Sequence, residues 1–210
     1  MPEPAQQRTE PDDWADYYRK VAGRDVRPLF AAGMAAVQGA GVVPGAAVEI
    51  GFGDGTESVA LLRAGWHVTA IDPTPSAATL LREKVPPAAL ARLDIVTDDA
   101  ESAALPEFDL LYAGYALPFI EPAKFPAVWS RIRERIRPGG FLVVNLFGVH
   151  DTWAGDHALT FLDRAGAEAL VDGLEVISFR EEDAEGPSAS GPKHWHLFDV
   201  IARQPRGGGG

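Results

Sequence analysis

An apolar run, Ala46 to Ile50, ends in three glycines spaced G-x-G-x-G: Gly51, Gly53 and Gly55. A helical stretch starts near Glu57, and a second short run, His67 to Ile71, stops at a carboxylate, Asp72. Strand, glycine turn, helix and strand in this order make a βαβ unit, which calls for a parallel sheet covered on both faces. The glycines let the backbone come close to a ligand, and an acid at the tip of the second strand can take the hydroxyls of a ribose. That geometry needs about 20 residues between first glycine and acid, as found here.

The register of the turn argues against one class of ligand. A dinucleotide site reads G-x-G-x-x-G, with its third glycine under the pyrophosphate at the helix N-terminus; here that position is Thr56. Glu49, two residues before the first glycine, would set a negative charge beside a diphosphate. An acid there suits a cation instead.

An acid, a spacer and G-x-G-x-G, matched by Glu49, Gly51, Gly53 and Gly55, together with Asp72, Asp99-Ala100 and the later RPGGFLVVN, resemble the class I S-adenosylmethionine-dependent methyltransferases. The resemblance runs from about Asp12 to Arg203. Within the family it looks nearest to small bacterial enzymes of the tellurite-resistance type, on the strength of WADYY, AGWHVTAID and GPKHWHLFDVIAR. It implies a Rossmann-like, doubly wound, seven-stranded sheet in the order 3-2-1-4-5-7-6, mostly parallel with an antiparallel C-terminal hairpin. It also implies S-adenosylmethionine as cofactor and S-adenosylhomocysteine as product.

The pattern along the chain agrees with such a sheet. Thr74 and Pro75 read as N-cap and first residue of a helix running to Val85. Strands are expected at Leu93–Thr97, Phe108–Ala113 and Phe141–Leu146. Phe125, Val128, Trp129, Ile132 and Ile136 share one helical face, and Pro138-Gly139-Gly140 reads as that helix's stop. Leu174–Arg180 and His194–Ala202 read as two strands joined by an acidic Gly/Pro/Ser-rich connection. Residues 1–11 read as a disordered tail, 12–203 as one domain with residues 12–43 as a helical lid, and 204–210 as a flexible tail.

Composition narrows the partners. The 210 residues carry a formal net charge of −11, with no basic stripe, which disfavours nucleic acid and anionic membranes. No cysteine is present, which removes disulfides, thiol nucleophiles and thiolate metal sites and is compatible with a cytoplasmic home. No signal peptide or membrane-spanning run is legible.

Each part of the cofactor has candidate partners by resemblance. Gly51, Gly53, Gly55 and Thr56 form the loop beneath it, Asp72 and the following Pro73 meet the ribose, and Asp99 with the Ala100 amide meets the adenine. Asp98 is the rival of Asp99, and a solvated turn is the plainer reading of both. Glu49 acts near the methionine ammonium, or only organises the loop. Asp54 is an extra acid in the loop that faces solvent or helps with the ammonium. Ala113 and Tyr115 line the methionine end, unless Tyr115 is only a core aromatic. The family's amide- and nucleobase-directed members carry an Asn/Asp-Pro-Pro-Tyr motif after the fourth strand. This chain has Gly114-Tyr115 there, which argues against such acceptors and leaves a small-molecule acceptor as the expectation.

Methyl transfer from a sulfonium is an in-line displacement, and orientation alone contributes about 7–11 kcal/mol. A base is needed only where the acceptor must lose a proton. His150, just after the fifth strand, is the candidate base, with Tyr115 beside it as the second catalytic candidate. Trp14, Tyr17 and Tyr18 form an aromatic lid over cofactor and acceptor, or one packing face of a helix. His194 and His196 share a strand face without a legible third ligand, so no metal is expected. A cofactor-binding protein that performs a non-methylating step carries the same motifs and stands as the alternative.

Overall fold

The computed structural model describes residues 14, 17, 18, 21, 23–188 and 191–207. The expectations on residues 1–11 and on the last three residues of the tail, 208–210, lie outside these. Trp14, Tyr17, Tyr18 and Val21 are helical. Then follow α1 (Pro28–Gly39), β1 (Ala46–Ile50), α2 (Thr56–Arg63), β2 (His67–Ile71), α3 (Pro75–Lys84) and β3 (Leu93–Val96). β4 (Phe108–Ala113), α4 (Phe125–Arg135), β5 (Ile136–Gly148), β6 (Phe161–Leu162) and α5 (Arg164–Ala169) come next. The long pair β7 (Glu175–Ser188) and β8 (Gly191–Arg203) closes the chain.

The strands lie in the order β3-β2-β1-β4-β5-β8-β7, with β6 pairing β5 off this path. β1 to β5 are mutually parallel, and β8 runs antiparallel to both β5 and β7. This is the expected order with one addition: the two-residue β6 makes an eighth strand. The chain reverses its direction of sheet growth between β1 and β4, so a crevice opens outside the carboxyl ends of these strands.

Period-two alternation decides which face each strand residue serves. Val143 of β5 and Ile201 of β8 pack with Leu29, Phe30 and Val37 of α1, beside the cluster that also holds α2 and α3. Val144, Leu146, Phe198 and Val200 pack with Phe125, Val128, Trp129 and Ile132 of α4. We call these the α1 face and the α4 face.

Four expectations need correction. Pro138-Gly139-Gly140 does not stop α4; the helix ends at Arg135 and those residues already lie in β5. Gly139 takes φ 83°, and the β4–β5 register shifts between Phe108 and Leu110, so the irregular stretch is absorbed as a bulge. The acidic segment before His194 is not a loop, because β7 and β8 pair from Glu175↔Arg203 to Ser188↔Gly191. Residues 28–39 are core rather than lid: α1 lies so close to β5 that a Cβ on Gly33 would sit 2.6 Å from Val143 Cγ1. Gln204 is not tail either, since its N–H donates to the Gly140 carbonyl and its own carbonyl accepts from Gly139.

Candidate functional site

The loop after β1 turns on left-handed glycines. Gly51 has φ 72° and Gly53 φ 52°, backbone that side chains rarely adopt. A Cβ on Gly51 would lie 2.5 Å from Ala116 Cβ, and one on Gly53 would lie 2.9 Å from Tyr18 Cε1. Asp72, buried at the end of β2, faces this loop. Its Oδ2 accepts from the Gly53 N–H at 2.9 Å and its Oδ1 from the Thr74 N–H at 2.9 Å. The Thr74 side chain makes no capping bond, so Asp72 orders the start of α3. Burial pushes the Asp72 carboxyl up, against these hydrogen bonds. The Tyr18 hydroxyl donates to the same Oδ2 at 3.2 Å, which lays the N-terminal helical residues across the loop. Pro73 is exposed beside it.

The acids around the loop are buried and mostly paired. Asp54 neither faces solvent nor stands free: Arg24 Nη2 lies 3.1 Å from its Oδ1 and Lys84 Nζ 2.8 Å from its Oδ2, and the Thr56 hydroxyl donates to it as well. Burial opposes its charge, but Lys84, Thr56 and Arg24 together hold it below the usual carboxylate range. Arg24 also grips Glu57 in a two-pronged contact, both bonds 2.6 Å. Glu49, 1% exposed, accepts from the Ser58 hydroxyl. Burial first, then the neighbouring Glu57, pushes its carboxyl well up, which favours the protonated acid. The Tyr112 hydroxyl, two residues before Gly114, is buried and has no hydrogen-bond partner among the described residues.

On the far side, Asp99 is exposed at the end of β3. Its Oδ1 accepts from the N–H groups of Glu101 and Ser102, and Asp98 accepts from the Ser102 hydroxyl. Both acids therefore order the turn that carries Ala100, whose carbonyl accepts from Arg131.

Tyr115 is the one described non-glycine residue with positive φ, 56°. Asn145 holds it there: the Asn145 Oδ1 accepts the Tyr115 N–H at 2.7 Å. A left-handed tyrosine stores strain of about 1–3 kcal/mol, which clusters at functional sites. The turn aims the ring from the end of β4 across β5, with centroids 6.5 Å from Phe147 and 5.8 Å from Trp195. The Arg27 guanidinium lies 4.7 Å above it. Phe119 links Phe147 to Trp14, so Trp14 and the wall belong to one aromatic network. Within it Lys193 and Asp151 form a buried ion pair at 2.6 Å, and the Lys193 ammonium lies 3.3 Å from Trp153 and 3.8 Å from Trp195.

His150 does not join Tyr115. Its ring stacks on His196 at 4.6 Å, and His196, beside Phe198, belongs to the α4 face. Trp195 and Phe147 belong to the opposite one. The structure groups a different trio from the His194–His196 pair, since His150, Asp183 and His196 offer ligand atoms within 4.8 Å of one another. His196 is a poor metal ligand as it stands. Its Nδ1 accepts the His150 backbone N–H at 3.0 Å, which leaves Nε2 as the N–H donating to Glu181. His194 sits between Asp183 and Glu185, both of which raise its pKa, Asp183 more.

Sequence reasoning missed Asn145, Arg27, Asp199 and the Lys193–Asp151 pair. Asn145 and Asp199 each interrupt an apolar strand, in FLVVNL and HLFDVIA, and an interrupted core strand is the signal that finds them.

Residues 47–140 match the model of a family described as a methyltransferase domain. Hemagglutinin 1 of Eikenella corrodens is 30% identical over 141 residues, 65% of this chain and 45% of that protein. The chain thus spans less than half the length of that curated relative. TehB of Haemophilus influenzae superposes with a TM-score of 0.70 at 16% identity, covering 91% of this chain and 67% of that one. The N-methyltransferase NodS of Bradyrhizobium japonicum, solved with S-adenosylhomocysteine, has TM-score 0.68, 15% identity and coverage of 92% and 99%. The 1,6-didemethyltoxoflavin-N1-methyltransferase of Burkholderia thailandensis has TM-score 0.65, 19% identity and coverage of 93% and 87%.

Proposed function

We propose that this chain is a class I S-adenosylmethionine-dependent methyltransferase and that it transfers the methyl group to a small-molecule acceptor. The observation that carries this reading is the junction of β1 and β2. There the left-handed glycines and the doubly hydrogen-bonded Asp72 lie at the carboxyl ends of the strands, next to the point between β1 and β4 where the sheet reverses direction. These residues fit S-adenosylmethionine: glycines for close approach, an acceptor for a diol, and no third glycine for a pyrophosphate.

Gly51, Gly53, Gly55 and Thr56 would hold the cofactor from below, Asp72 and Pro73 its ribose, Asp99 and Ala100 its adenine, and Ala113 and Glu49 its amino-acid end. Arg27, which makes no ion pair among the described residues, adds a cation near that end. The bound cofactor supplies an activated methyl on a sulfonium. The chain's own task is to orient the acceptor, exclude water and take a proton where one must leave. Tyr115, Phe147, Trp195 and the lid residues Trp14, Tyr17 and Tyr18 do the first two. Aromatic walls of this kind, one of them strained into place, suit a small π-rich molecule.

Calorimetry with S-adenosylhomocysteine and with NAD tests the cofactor. Binding of the first and not the second is expected; the reverse would overturn the reading. Transfer of radiolabelled methyl to a product separates methylation from a non-methylating step.

A further inference from the structure

Asp199 is a half-buried carboxylate in the middle of β8. Among the described residues it has no hydrogen bond and no ion pair, whereas most buried acids of the glycine loop have one. It pairs directly across the ladder with Asn145, the residue that holds Tyr115 left-handed. Directly opposed residues share a sheet face, so Asp199 lies on the α1 face with Phe147, Leu197 and Trp195. Its level is set by the register. Ala113, the last residue of β4, pairs with Val144, so Asn145 and Asp199 stand one residue beyond the end of β4, level with Gly114. Two inter-strand spacings, about 10 Å, separate Asp199 from the line of β4.

The groups around it select the ligand. Arg180 and Glu182 of β7 occupy the same face, opposite Asp199 and Leu197 respectively, and neither forms an ion pair with it. The Arg27 guanidinium lies over the Tyr115 ring. The Lys193 ammonium is already neutralised by Asp151. Burial, countered by Arg180, pushes the Asp199 carboxyl up. A carboxylate on the sheet face that also carries the Tyr115, Phe147 and Trp195 rings attracts a cation by charge, and the rings add to that attraction through their quadrupoles. It repels a phenolate or a carboxylate.

We propose that Asp199 binds the acceptor of the methyl group, that the acceptor is a primary or secondary amine, and that Asp199 takes the proton the amine loses. The step balances. The bound ammonium first passes one proton to the Asp199 carboxylate, which frees the nitrogen lone pair. That lone pair forms the N–C bond while the C–S bond of the sulfonium breaks, its electron pair staying on sulfur, and the methylated product leaves as an ammonium. His150 has no part in it, because its ring lies on the other face of the sheet. This proposal rests on the methyltransferase reading above.

The test uses the full chain with S-adenosylhomocysteine and three probes of one shape: 2-phenylethylamine, 2-phenylethanol and phenylacetate. Calorimetric or NMR titration is expected to show the amine binding more tightly than the alcohol or the acid. D199N should weaken the amine about tenfold or more, the scale of one charge-assisted contact, and leave alcohol binding and S-adenosylhomocysteine affinity unchanged. D199E should recover part of the loss. Failure of the amine to bind, or amine binding equal to that of the alcohol, or indifference to D199N, would each overturn the proposal. Failure of S-adenosylhomocysteine to bind the unaltered protein would instead sink the methyltransferase reading itself.

Discussion

The glycine loop and the aromatic wall stand at the same end of one sheet, yet they treat charge in opposite ways. Around the loop, Asp54, Glu57 and Asp72 are all engaged, by Arg24, by Lys84 or by backbone N–H groups. Along the wall, Arg27 and Asp199 make no ion pair among the described residues, and only Lys193 and Asp151 satisfy each other. A region whose charges are spent on its own fold is a prebuilt cradle. A region that keeps opposite charges out of ion pairs near a strained tyrosine has affinity left for a ligand.

The most disruptive challenge to this contrast is at the wall's one paired site. K193M leaves the Asp151 carboxylate buried without its partner, and about 3–5 kcal/mol of stability should be lost in denaturant titration. Adding D151N should restore most of it. A single-variant loss under 1 kcal/mol would mean that the pair is not buried in solution.

On the loop, D72A should weaken S-adenosylhomocysteine by roughly tenfold to a hundredfold or more in calorimetry, since hydrogen bonds to a charged group contribute about 1.5–3 kcal/mol each. An unchanged dissociation constant would reduce Asp72 to an organiser of the α3 start.

A smaller effect of opposite sign is expected from Tyr18. Its hydroxyl occupies Asp72 Oδ2, where a ribose hydroxyl would compete for it. Y18F should therefore tighten S-adenosylhomocysteine severalfold, on the scale of about 1 kcal/mol for one hydrogen bond. Weaker binding would make the tyrosine a ligand contact instead of a competitor.

The smallest effect concerns Glu49. Its folded-state pKa is raised by burial and by Glu57, so folding favours the protonated acid. The associated stability is complete below the unfolded-state pKa and is lost as pH rises through the folded one. E49Q should flatten that decline, read as a melting temperature that falls less than in the unaltered protein as pH rises above the ordinary glutamate value of about 4.3. A steeper decline in the variant would refute the assignment.

Much of the first region was legible in the chain. The glycine spacing, the strand from Ala46 to Ile50 and the acid at Asp72 are local features, set by backbone sterics and by alternation over a few residues, so sequence alone places them. The helix at Pro75 and the C-terminal strand pair were legible for the same reason. The lengths of β7 and β8 were not, because an acidic edge strand with Gly and Pro lacks the apolar pattern of a core strand and owes its extent to its neighbour's ladder. The fate of Asp54 was invisible too, since Arg24 and Lys84 meet it from 30 residues away on either side. The histidines show the limit most plainly. Sequence puts His150 and Tyr115 at the carboxyl end of adjacent strands. Only the paired sheet, with its two faces and its stacked His196, assigns them to opposite sides, because a side chain's face depends on register and on what packs against it.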